Sequence, residues 1–73
     1  MTETALQMAM RHVTSGRRIV EGQKALIAEL RRDGHELPAA RAEDLLKTYE
    51  ISLTAFERDL AELVETEGKG AAL

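Results

Sequence analysis

His12 and His35 are the only imidazoles in the chain, and they accompany thirteen carboxylates, ten of which follow residue 32. Histidine with carboxylate is the raw material of metal binding and of acid–base chemistry. The spacing argues against both. On one straight helix the two histidines would stand roughly 35 Å apart at 1.5 Å per residue, too far to share an ion within one subunit. No Glu-x-x-His pair of the di-iron bundle type is present. The acids Glu43, Asp44, Glu50, Glu57, Asp59, Glu62 and Glu65 nearly all fall on the exposed side of a helical pattern, Asp59 lying closest to its apolar edge. A catalytic carboxylate needs burial or a crowding charge to raise its pKa, and an exposed helix face offers neither. The expectation is a non-enzymatic protein with no metal and no cofactor. His35 then reads as a polar residue bonding the preceding helix end. His12 reads as a packing residue whose charge, if it is buried, tunes assembly below neutral pH.

The cations raise a second possibility. Arg17, Lys24 and Arg31 recur at seven, and Arg11, Arg18 and Arg32 follow the same spacing with a break at Ala25. Such a face could grip phosphates, with steeply salt-dependent affinity. The net charge of −3 and the lack of interleaved aromatics argue against it. A small nucleic-acid-associated regulator using Arg11, Arg17, Arg18 and Lys24 is therefore the alternative reading, not the leading one. Residues 1–32 hold six basic and three acidic side chains, and residues 33–73 hold four basic and ten acidic, giving +3 and −6. The natural partner of the basic half is the acidic half.

The elements that position these residues are two helices. Thr4 and Gln7 match a capping box at the start of the first. Leu6, Val13, Val20 and Ile27 repeat at seven, flanked by Ala5, Ile19 and Leu26 on one side and by Ala9 and Leu30 on the other. Gly16 falls on this stripe, as at a close backbone approach, whereas Gly22 lies off it as a soft spot. Arg31-Arg32-Asp33-Gly34 reads as a helix end, with cations at the negative pole and glycine in the left-handed cap. Pro38 suits the first position of the next helix. There Leu46, Tyr49, Leu53, Phe56, Leu60 and Leu63 alternate at three and four residues, which aligns all six on one stripe. The only tyrosine and the only phenylalanine sit in it, as packing residues. The expectation is one all-α domain over residues 1–73: helix about 4–33, turn 34–37, helix about 38–67 and a flexible tail 68–73. Two long helices with so short a connection make an antiparallel hairpin.

One hairpin cannot cover a first helix whose apolar stripe is three rows wide, nor Ala42, Leu45, Ile51 and Val64 beside the second stripe. Burying more leucines in a dimer is worth several kcal/mol at about 25 cal/mol per Å². A homodimeric four-helix bundle or coiled coil is the expected assembly, with a different protein as the other possible partner. Val13, Val20, Ile27, Leu46, Leu53, Phe56 and Leu60 are the candidates for self-association. Gln23, polar on the seam, is the candidate for fixing register. Met1, Met8 and Met10 read as the start of the bundle helix rather than as a membrane-surface segment, with Met8 and Met10 a soft contact surface. The chain has no cysteine, no apolar run of about 18 residues and no signal-like start, which together suggest a cytoplasmic protein.

The segment His12-Val13 … Gly16-Arg17-Arg18 … Gln23 … Leu26-Ile27-Ala28-Glu29-Leu30 … Asp33-Gly34-His35, followed by Leu45-Leu46 and by Tyr49 to Phe56, resembles a group of small uncharacterised bacterial proteins, chiefly alphaproteobacterial. The likeness spans about residues 10–60. It implies a bacterial cytoplasmic helical protein and brings no activity with it. Relatives tend to carry Asp-Thr after the histidine, where this chain has Glu36-Leu37-Pro38, so the resemblance implies a different cap for the second helix.

Overall fold

The computed structural model describes residues 2–71, with side chains to residue 67, as α1 (Ala5–Arg32) and α2 (Glu36–Ala71) packed as an antiparallel hairpin. No strand occurs among the described residues. α1 begins where the sequence places it. The Thr4 hydroxyl accepts from the Gln7 N–H at 3.0 Å, and the Gln7 side-chain oxygen accepts from the Thr4 N–H at 2.9 Å, closing the capping box.

The turn is shorter than expected. The Gly34 N–H donates to the Arg31 carbonyl (3.1 Å) and the His35 N–H to the Leu30 carbonyl (2.8 Å), with Gly34 at φ +78°. These are the two bonds of a Schellman motif, which needs a left-handed residue where Gly34 stands. The His35 carbonyl then accepts from the Ala39 N–H at 3.0 Å, so one residue both closes α1 and opens α2. α2 thus starts at Glu36, two residues before the position expected from Pro38. Pro38 is tolerated third in the helix because the first four N–H groups have no partner inside it anyway. The backbone also stays helical through Gly68 and Gly70 to Ala71 rather than ending at Gly68. Glycine lowers helix propensity by only about 1 kcal/mol, and it ends a helix when it turns left-handed. Among the described residues Gly34 alone does so. Residues 72–73 of the expected tail lie outside the described residues.

The seam runs the length of the pair. α1 contributes Leu6, Ala9, Val13, Gly16, Val20, Gln23, Ile27 and Leu30, and α2 contributes Ala39, Ala42, Leu46, Tyr49, Leu53, Phe56, Leu60 and Leu63. Both sets alternate at three and four, as packed antiparallel helices require. The α2 set extends the expected stripe by Ala39 and Ala42, both buried. Two helices side by side make a slab of 58 × 23 × 14 Å. At 14 Å thick it encloses few large side chains. Among the described residues nothing bigger than Ile27 is buried, and Leu46, Tyr49, Leu53, Phe56, Leu60 and Leu63 of the α2 seam are only half-buried.

Candidate interaction face

The seven residues expected to carry self-association all lie in the seam of the single hairpin. Val13, Val20 and Ile27 are buried there against α2. Leu46, Leu53, Phe56 and Leu60 are half-buried. Gly16 is buried too, but what approaches it is side chain rather than backbone. A Cβ at Gly16 would lie 3.1 Å from Leu53 Cδ1 and 3.5 Å from Phe56 Cδ2. Gln23 bridges the helices, its Nε2 donating to the Ala42 carbonyl at 2.8 Å.

Either side of the seam, the slab has a broad face, and the two faces differ in chemistry. In an antiparallel pair, the row just after the seam on one helix meets the same row on the other. Those rows are Met10, Arg17, Lys24 and Arg31 on α1 against Val64, Glu57, Glu50 and Glu43 on α2. Arg17 pairs with Glu57 at 3.1 Å and Arg31 pairs with Glu43. The two contacts are fourteen residues apart on both helices, which fixes one common register. Basic and acidic halves do lie side by side, as their charges suggest. Such exposed pairs add little stability each, but they select the alignment.

The opposite face carries the row just before the seam: Ala5, His12, Ile19 and Leu26 on α1, with Leu45, Ser52 and Asp59 on α2. Across the antiparallel pair this row sets Leu26 nearest Leu45, Ile19 nearest Ser52 and His12 nearest Asp59, about three residues off the level of the two ion pairs. Apart from His12 and Asp59 this row has no titratable group. Ile19 is 49% exposed, Leu26 43% and Leu45 44%. Toward the open end of the hairpin the face sinks into a groove. Its floor is Ala9, Phe56 and Leu63, and its walls are Ala5, Met8, His12 and Asp59. The groove exists because α1 places alanines there opposite large residues of α2. The half-buried His12 ring leans on Phe56, centroids 5.1 Å apart and planes at 41°, so it is a packing residue in this hairpin.

The remaining candidates are scattered. His35 belongs to the turn, and among the described residues no three potential metal ligands cluster. Arg11 grips Glu3 through two hydrogen bonds of 3.1 and 2.9 Å, which hold the Glu3 carboxyl below its ordinary value. Lys24 lies 3.6 Å from Glu21. Three of the four cations of the nucleic-acid alternative therefore sit beside carboxylates. No described helix is long and apolar enough to cross a membrane. Comparison with protein-family models, curated proteins and solved structures gave no match.

Proposed function

We propose that this hairpin is a non-enzymatic association module, an adaptor or regulator working through protein–protein contact. Its apolar face takes a second copy to close a four-helix bundle. The observation that supports this is the uncovered face itself: Ile19, Leu26 and Leu45 stand about half exposed along one side of a slab only 14 Å thick. The surface area agrees. One chain exposes 5638 Å², whereas a compact folded monomer of 8.1 kDa exposes roughly 4,500 Å². The excess, about 1,100 Å², exceeds the roughly 800 Å² that each partner covers in an ordinary interface.

Sedimentation of the wild type, Leu26→Asp and Ile51→Asp tests this. Ile51 is 72% exposed on the side away from the seam. The expected result is twice the 8.1 kDa of one chain for the wild type and Ile51→Asp, with Leu26→Asp monomeric and still helical by circular dichroism. A wild type monomeric at all concentrations, or a Leu26→Asp dimer, would overturn it.

A further inference from the structure

The apolar face is not uniform along its length, and its relief suggests how two copies would meet. Near the turn it carries Leu26 and Leu45, each a little under half exposed. Near the open end it sinks into the groove between His12 and Asp59. Between them lies the level of Ile19 and Ser52. Leu26 is seven residues after Ile19 and His12 is seven before it; on the antiparallel α2, Leu45 is seven before Ser52 and Asp59 seven after it. The Leu26–Leu45 knob therefore stands about 10 Å to one side of the middle of the face, and the groove opens at His12 about 10 Å to the other side and runs on toward the open end past Ala9 and Ala5.

Resting on the dimer reading above, we infer that the two hairpins stack head to tail, on a two-fold axis through the Ile19–Ser52 level. The Leu26–Leu45 pair of each copy fills the open-end groove of the other. A two-fold contact is isologous, so one complementary pair of features is used twice. Stacking with both turns at the same end would set leucines on leucines and leave the two grooves facing each other across a gap, forfeiting the dispersion contacts that close packing supplies.

Three further features of this face fit a second copy. Ser15 and Gly22 flank Ile19 on α1, and a Cβ at Gly22 would meet nothing within 4 Å, so α1 of a second copy has room to approach. On α2, Arg41 is eleven residues before Ser52 and Glu62 ten after it, so the two-fold brings opposite charges of the two copies almost level. The face over α1 is roughly 42 Å long and about 20 Å wide, close to the area each partner of a standard interface buries.

Spin labels on outward positions read the arrangement without touching the face. The chain has no cysteine, so Arg18→Cys and Arg32→Cys, each labelled alone in the full chain, report only where they are placed. Head-to-tail stacking offsets the two Arg18 labels by about 3 Å along the bundle and the two Arg32 labels by about 39 Å, from twice their residue distance to Ile19. Pulsed dipolar spectroscopy should therefore find the Arg32 pair much farther apart than the Arg18 pair. A dimer with similar distances at both sites would overturn the head-to-tail arrangement and leave the dimer standing. A protein monomeric in sedimentation, with no dipolar coupling at either site, would overturn both.

Discussion

Replacing Gly16 by alanine sets two effects of similar size against each other. Alanine is favoured over glycine inside a helix by about 1 kcal/mol. The new Cβ would stand 3.1 Å from Leu53 Cδ1, so that methyl must yield by a few tenths of an ångström. Displacing a leucine from its rotamer costs about 0.5–1.5 kcal/mol. The two nearly cancel, and Gly16→Ala should change stability by less than about 0.5 kcal/mol. Leu53→Ala removes the methyl in question and costs about 2 kcal/mol for a half-buried leucine. In that background Gly16→Ala should deliver its full gain of about 1 kcal/mol, a coupling of the same order between two side chains in contact. Urea and thermal unfolding of the four proteins, followed by circular dichroism at one fixed protein concentration, measures it. A coupling of 1 kcal/mol corresponds to roughly 4–8 °C in Tm for a chain of this size. Full stabilisation by Gly16→Ala in the wild type, with no dependence on Leu53, would show that α1 does not meet α2 along this seam.

Three further outcomes follow from the geometry. Gly34→Ala should lose about 1–2 kcal/mol because alanine resists the left-handed region, with Gly34→Asn losing less; equal stability of all three in thermal melts would contradict the Schellman turn. Gln23→Leu should raise the unfolding midpoint while admitting a second helix alignment, visible as doubled amide peaks in two-dimensional NMR; a single set of peaks would mean that the ion-paired face fixes register unaided. Glu3 should titrate below an ordinary glutamate because Arg11 hydrogen-bonds its charged form. The contact thus favours the folded N-terminus above the unfolded value and is released as pH falls through the folded one; carboxyl NMR of wild type and Arg11→Ala checks this, and an unchanged midpoint in the variant would refute it.

Much of this hairpin was legible in its residues because its signals are local. Thr4 with Gln7 and Asp33-Gly34 mark α1's ends by hydrogen bonds made within a few residues. The α2 stripe from Leu46 to Leu63 is a periodicity that packing merely obeys. What eluded the sequence depends on relations between helices. α1 offers three adjacent apolar rows; the central one through Val13, Val20 and Ile27 is the row that is buried, but which flank stays outside depends on the partner helix. The small Ala9 and Gly16, facing large α2 residues, and the charges of Arg17 and Arg31 meeting Glu57 and Glu43, together turn the Val13–Val20–Ile27 row inward. The row through Ile19 and Leu26 is then left outside. That row was visible as a flank of the stripe, but its role needed the register. α2 begins before Pro38 and continues past Gly68 because proline and glycine bias a helix end without dictating it.

The chain's three isoleucines form a built-in probe of the apolar face. Ile27 is 7% exposed in the seam, Ile51 is 72% exposed on the outside, and Ile19 stands on the face in question at 49%. Methyl NMR with a soluble paramagnetic agent reports how far water reaches each side chain. A dimer stacked on this face predicts strong broadening of Ile51 alone, with Ile19 as protected as Ile27. Broadening of Ile19 alongside Ile51, at concentrations where the chain is fully associated, would show that the face lies open and that association occurs elsewhere.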